Sequence, residues 1–273
     1  MNGKICLSTS DSFGICEYEQ LKAFKKAGFD GFFTMFLSRE HIAEMRSYAD
    51  ELGLYFQSIH AEFRGMCDFW KEGEVGEKVT QNLLETVYAA AEFHVPLVIM
   101  HAYIGWFFSD EKPTNIGLER FGRIVAAAEK YGVKIAVENT EGEEFFAAML
   151  DTYQNKNVGF CWDTGHEMCY RTRKTVEKYI DRLFGTHIND NLGVRTPDGK
   201  IYWTDDLHLL PFDGIADWKR NAHMLKNFDG ELTAELKFCD EPDCPEHDYR
   251  AMKFETYLAE VITRLRKIET MIK

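Results

Sequence analysis

Val133-Lys-Ile-Ala-Val-Glu138 is a short apolar run that closes on a carboxylate, and the housing of that glutamate decides the fold. A glutamate buried without a partner shifts its pKa or destabilises the chain, so it needs a metal ion, a cation or a catalytic duty. Just before it, Ile116 to Tyr131 is patterned as a helix stopped by Gly132. Before that helix, Leu97 to His101 is another apolar run, and it too ends on a metal-binding type of side chain. Strand, helix and strand in that order make a βαβ unit with parallel strands.

The pattern continues in both directions. Lys4 to Thr9 reads as a strand, followed by a helix from Glu17 to Ala27 with Gly28 as its stop. Gly31 to Phe36 is a second strand, followed by a helix reaching Leu52 and ended by Gly53. Leu54 to His60 is the third strand, and a polar loop leads to a helix over Glu77 to Phe93. Beyond Glu138, Val158 to Asp163, Phe184 to Ile188 and Leu232 to Leu236 supply further strands, and a helix over His247 to Ile268 ends the pattern. Eight strand and helix units favour a single-domain (β/α)8 TIM barrel over residues 1–273 rather than an open doubly wound sheet. No G-x-G-x-x-G or G-x-x-x-x-G-K-[ST] follows the first strand, so no nucleotide cofactor is expected.

Composition agrees and excludes some functions. A chain of 273 residues, 45% hydrophobic, is close to the roughly 250 residues typical of such a barrel. The net charge of −13 lacks the basic footprint of a nucleic-acid binder. The loops 61–76 and 189–216, expected at the mouth, are themselves net acidic, which disfavours nucleic acid and sugar phosphates. The seven cysteines form no C-x-x-C pair, Cys239 and Cys244 included, which reads as reduced thiols in a cytoplasmic protein. Neither an export signal nor a run of about 18 apolar residues is present, so no membrane role is expected.

The chemistry sits at the strand ends. His60, His101, Glu138, Asp163 with His166, His187, Asp206 with His208, and Glu235 follow successive apolar runs, and the C-terminal ends of barrel strands converge on one mouth. A lone histidine such as His101 is more often a hydrogen-bonded core residue; the recurrence from the third strand to the eighth points instead to a metal site. Glu138 and Glu235, on the fifth and eighth strands, are expected to face each other across a ligand, with an ion pair to a lysine as the structural alternative. His41, His94, His223 and His247 are expected on solvated surface. The loops carry Phe63, Phe69, Trp70, Tyr103, Trp106, Phe107, Phe108, Tyr202 and Trp203, whose rings can pack on the C–H face of a sugar.

Ser-Ile-His-Ala (58–61), Val-Glu-Asn-Thr-Glu-Gly (137–142), Cys-Trp-Asp-Thr-Gly-His (161–166), Thr-His-Ile-Asn-Asp-Asn (186–191), and His208 followed by Pro211, Gly214, Asp217 and Trp218 occur in order along the chain. Together they resemble the xylose-isomerase-like barrel superfamily, which joins sugar isomerases and epimerases with endonuclease IV. The resemblance implies one divalent metal ion, manganese, zinc or cobalt, held by Glu138, Asp163, His187 and Glu235. It also implies catalysis by Glu138 and Glu235 as base and acid on an enediolate, with His166, His60, His101, His208 and Trp106 toward a small sugar substrate.

The endonuclease branch uses nine ligands around three zinc ions, and Asp206, His208, His60, His101 and His166 would be the additional ligands here. An endonuclease IV-like phosphodiesterase acting on abasic DNA is therefore the enzymatic alternative, and a non-catalytic sugar-binding barrel is another. Two positions depart from the epimerase pattern. Asn191, Leu192 and Gly193 follow His187 where an arginine is common, leaving Arg195 as the substitute, and Phe212 stands where glycine is usual. Barrels with exposed aromatic loops often pair, so a homo-oligomer is a further expectation.

Overall fold

The computed structural model describes residues 3–105, 111–238 and 249–273. Eight parallel strands, β1 (Ile5–Ser8), β2 (Gly31–Met35), β3 (Tyr55–His60), β4 (Leu97–His101), β5 (Lys134–Glu138), β6 (Val158–Asp163), β7 (Leu183–His187) and β8 (Leu232–Ala234), alternate with helices. Neighbours in sequence are neighbours in the sheet from β1 to β7, and β8 pairs with β1. Closure between β7 and β8 comes from a parallel bridge of Ile188 with Ala234 and the Ile188 N–H donated to the Thr233 carbonyl at 2.8 Å. The protein is a (β/α)8 TIM barrel.

Local chemistry sets the element ends. Ser38 caps α2 (Arg39–Leu52) by accepting the His41 N–H, and Thr114 caps α4 (Asn115–Tyr131) by accepting the Gly117 N–H. Gly28 ends α1 (Glu17–Ala27) and Gly53 ends α2 in the left-handed conformation, as the sequence predicts. The large apolar cluster lies between strands and helices, with Phe24, Phe56, Phe121, Phe146 and Tyr257 fully buried in it. A smaller cluster of Leu97, Ile99, Ala136 and Cys161 fills the barrel. Ile99, Ala136 and Cys161 each stand two residues before a residue of the mouth, so strand alternation turns both inward.

Several boundaries differ from the sequence reading. Helix α3 runs over Glu74–Glu92, starting a turn earlier than expected, and β8 stops at Ala234, leaving Glu235 just beyond it. The last helix, α9, spans Phe254–Ile272, while the expected start at His247 lies outside the described residues. The segments after β5, β6 and β7 hold α5 (Glu143–Thr152), α6 (His166–Cys169), α7 (Arg173–Tyr179) and α8 (Trp218–Met224). These are short, and α5 buries Phe145, Phe146, Met149 and Leu150 in a contiguous apolar run, so none shows a long helical period. Cys6, Cys16, Cys67, Cys161 and Cys169 are free thiols; Cys239 and Cys244 fall outside the described residues.

Candidate metal centre

Because parallel strands deliver their last residues to one face, His60, His101, Glu138, Asp163 and His187 meet at the mouth at the ends of β3 to β7. Glu138 is the hub and is fully buried. Its Oε2 lies 3.0 Å from His60 Nε2 and 3.0 Å from His101 Nε2, and its Oε1 lies 2.9 Å from His187 Nδ1 and 3.4 Å from His166 Nδ1. Glu235 Oε2 also approaches His187 Nδ1 at 2.9 Å. The two glutamates thus converge on one imidazole nitrogen, and among the described residues no lysine pairs with Glu138. Phe33 stacks under the His187 ring at 4.6 Å and 10°, which fixes its plane.

A second group forms on the loop after β7. Asp206 Oδ2 lies 2.9 Å from His208 Nε2 and 3.3 Å from His166 Nε2. Asp163 sits between the groups, with Oδ1 accepting the His166 N–H at 2.6 Å and Oδ2 accepting the Asn189 side-chain amide at 2.7 Å.

The donor set fits divalent metal. Three sets of side chains, His60/His101/Glu138, Glu138/Asp163/His187/Glu235 and His166/Asp206/His208, each offer ligand atoms within 4.8 Å of one another. His60 Nδ1 faces the Ala61 carbonyl at 2.8 Å and His208 Nδ1 the Glu235 carbonyl at 3.1 Å, contacts that let Nδ1–H donate and make each Nε2 the nitrogen that would ligate a metal ion on giving up its proton. Asp206 Oδ1 is buried with no hydrogen-bond partner, as an atom reserved for a cation would be.

Electrostatics agree with a site built for positive charge. Burial alone would raise Glu138, yet the imidazoles of His187, His101 and His60 hold its carboxyl well below the usual carboxylate range. Burial would likewise lower His166 and His208, but the carboxylates of Asp163 and Asp206 around the first, and of Asp206 around the second, push them up to about 10 and about 9. Asp163 is pushed up to about 6 by burial, with the charges of Glu138 and Glu235 adding to it. Protons on imidazoles thus balance the carboxylates where a metal ion would otherwise do so.

The centre opens on a cleft of about 690 Å³ lined by His60, His101, His166, Asp206, His208 and Glu235. Glu138, Asp163 and His187 lie beneath it and do not line it. Of the aromatics expected there, Phe63 lines the cleft and stacks on His101 at 5.0 Å, and Trp203 lines its rim. Phe69 and Trp70 are core residues instead, because the loop after β3 folds inward on Arg120, whose guanidinium donates to the carbonyls of Phe69, Lys71 and Gly73, and Tyr103, after β4, is buried against Phe145 at 4.2 Å. Trp106, Phe107 and Phe108 lie outside the described residues.

His41 is not solvated surface: its Nε2 meets Glu17 Oε2 at 2.7 Å, and its side chain is 12% exposed. His94 and His223 are exposed, and His247 lies outside the described residues. Arg195 does not reach the cleft; it donates to the Thr204 carbonyl and pairs with Asp205 at 3.4 Å. Phe212 holds the usual glycine position with φ of 77°, the left-handed backbone that glycine adopts freely, with the Lys267 ammonium 3.8 Å from its ring centre. The acidity of the loop after β7 is largely committed internally. Asp190 accepts the N–H groups of Phe212, Ala216 and Trp218 Nε1, and Asp213 pairs with Arg264. The acids that do line the cleft are Asp11, Glu17, Glu62, Asp206 and Glu235, against Arg64 and Lys237 as its cations.

Sequence reasoning missed the amides and the carboxylate that brace the ligands. Asn139 donates to the Asp163 carbonyl at 2.9 Å and accepts its N–H at 2.7 Å, Asn189 holds the Asp163 carboxylate, and Asp190 pins the loop bearing His208. Their one signal was position, each within two or three residues of a strand-end ligand in Glu138-Asn139 and His187-Ile-Asn-Asp190.

The chain belongs to the xylose isomerase-like TIM barrel family, whose sequence profile matches residues 21–253. An uncharacterized protein of Sinorhizobium fredii is 33% identical over 142 residues, 47% of this chain, and the chain spans 42% of that relative's length. Among solved structures, the IolI protein with a bound zinc atom superposes with a TM-score of 0.76 at 17% identity, covering 99% of each chain. A D-tagatose 3-epimerase-like protein superposes at 0.73 and 19% identity, covering 99% of this chain and 100% of its own. At such identities the structures are alike in fold.

Proposed function

We propose that this protein is a divalent-metal-dependent isomerase or epimerase of a small unphosphorylated sugar or polyol derivative. Glu138, Asp163, His187 and Glu235 would hold one manganese, zinc or cobalt ion, a mixed carboxylate and imidazole set suited to those metals. The observation that carries the reading is the exposure of Glu235: alone among the four it lines the cleft, its side chain 22% exposed, while its Oε2 stays 2.9 Å from His187 Nδ1. A carboxylate so placed touches both metal and substrate.

When bound, the ion supplies Lewis acidity that polarises a carbonyl and its neighbouring hydroxyl. Glu235 then takes the proton from the carbon beside that carbonyl, giving an enediolate, and Glu138 is the second proton-transfer group. The two are unequal, because Glu138 does not line the cleft and would exchange its proton with it only through the imidazoles of His60 and His101, whose Nε2 atoms lie 3.0 Å from its Oε2. His166, His60, His101 and His208 orient the substrate hydroxyls from the cleft wall. The zinc atom named for IolI and the epimerase-like neighbour support the reading by analogy of fold.

A second reading is favoured by one observation. All nine strand-end candidates fall into three ligand groups, two sharing Glu138, which is the arrangement a three-zinc phosphodiesterase needs. Against it, the cleft outside the ligand groups sets Asp11, Glu17 and Glu62 against Arg64 and Lys237, which lacks the basic footprint of a phosphodiester site. The test is incorporation of solvent deuterium into a panel of ketoses, aldoses and inositol derivatives by metal-loaded protein, read by NMR. Deuterium at one carbon of one substrate is expected, with E235Q slowing it by about a thousandfold and E138Q by no less than tenfold. No exchange in any sugar, together with cleavage of abasic DNA, would reverse the choice.

A further inference from the structure

The cleft is larger and more apolar than one sugar ring requires. About 690 Å³ falls within the roughly 300–1,000 Å³ typical of sites for drug-sized ligands, beyond the needs of a lone monosaccharide. Its inner part, at the metal centre, is polar. Its outer wall carries Ile15 from the loop after β1, Phe36 and Leu37 from the loop after β2, and Trp203 from the loop after β7. Ile15, Leu37 and Trp203 are 42%, 68% and 55% exposed. Single exposed apolar residues need no explanation, but three around one cleft mouth, continuous with a site that binds polar groups, do.

We infer that the substrate is a conjugate: a sugar or polyol head at the metal centre, joined to an apolar, planar group that lies against Ile15, Leu37 and Trp203. Two features favour an uncharged aryl-type group. The indole of Trp203 offers a flat face for stacking. The cleft's lysine and arginine are already engaged, with the Lys237 ammonium held at 2.8 Å by the Asp206 carbonyl and Arg64 paired with Glu62. The inference rests on the sugar-isomerase reading for the head group and adds what that reading leaves open, the remainder of the molecule.

The test uses matched methyl and phenyl ethers at the terminal hydroxyl of fructose, tagatose and sorbose, which keep the carbonyl that the head-group reading needs, titrated calorimetrically into metal-loaded protein. At least one phenyl ether is expected to bind about tenfold more tightly than its methyl partner, from burial of the ring. In L37S and W203A, both at exposed positions, that ratio is expected to fall toward about one. Equal affinities for every pair, or no binding by any, overturn the proposal. So does a wild-type dimer that L37S dissociates in sedimentation, because the apolar rim is then covered by a second copy of the chain. Chelating the metal separates the two claims: a phenyl preference that survives chelation preserves the apolar subsite and sinks the metal-centred sugar, whereas methyl ether binding that needs metal without phenyl preference does the reverse.

Discussion

Asn189 shows how little room the metal centre has at the scale of single residues. Its amide donates to Asp163 Oδ2 at 2.7 Å, and its side-chain oxygen sits where a Cβ on Gly165 would be. Gly165 is therefore glycine for space and not for backbone freedom. In G165A the methyl displaces Asn189, Asp163 loses its brace, and metal retention is expected to fall by about tenfold or more, as for other lost supports of metal ligands, with far-UV circular dichroism unchanged. Wild-type metal content in G165A would contradict this. Glu17 is a second close fit, away from the ligands. Burial would raise its carboxyl, but hydrogen bonds from His41, Thr34 and Thr9 lower it below its ordinary value of 4.5. A depressed carboxylate contributes stability that is present above its unfolded pKa and lost as pH falls through its folded one. E17Q is thus expected to be less stable at pH 7 by about 1–3 kcal/mol, with the gap to wild type in urea denaturation narrowing below pH 4.5. A gap that stays constant to acid pH would show that the charge is irrelevant.

Among the elements, α4 rests on Trp70, and the contact decides the sign of a simple substitution. A Cβ at Gly117 would overlap the Trp70 indole, which is held by its own bond to the Ala102 carbonyl at 2.8 Å and by Thr114 bonding its backbone oxygen at 2.6 Å. Alanine is intrinsically better in a helix by about 1 kcal/mol, whereas overpacking costs about 1–3 kcal/mol. Because Trp70 is pinned, G117A is expected to lower the urea midpoint; a rise would mean that propensity wins. Strands β3 to β7 were legible because each ends on a residue type that apolar runs rarely tolerate, so His60, His101, Glu138, Asp163 and His187 marked both strand ends and the ligand groups. Helices α5 to α8 were not legible, since a segment such as Trp218–Met224 is too short to reveal a 3.6-residue period. Asn139, Asn189 and Asp190 escaped for a different reason: a brace is recognised by what it touches, and those contacts join residues 22 to 28 positions apart. The loop partly defeated the charge argument too, because Asp190 and Asp213 spend their charge inside the fold.

For the whole molecule, closure of the barrel concentrates four carboxylates and five imidazoles in one mouth, where like charges would repel without protons or metal between them. Folding and metal binding are therefore coupled, and chelation is expected to lower the melting temperature by several degrees through the lost binding free energy. The ion should be held most firmly by Glu138, Asp163, His187 and Glu235, the one group among the described residues that offers four ligands. Metal content by inductively coupled plasma mass spectrometry, on unchelated protein dialysed against metal-free buffer, tests this most directly, with D163N as control. About one manganese, zinc or cobalt ion per chain, lost in D163N, is the expected result. Close to three zinc ions per chain, with two persisting in D163N, would contradict it and move the protein toward phosphodiester chemistry.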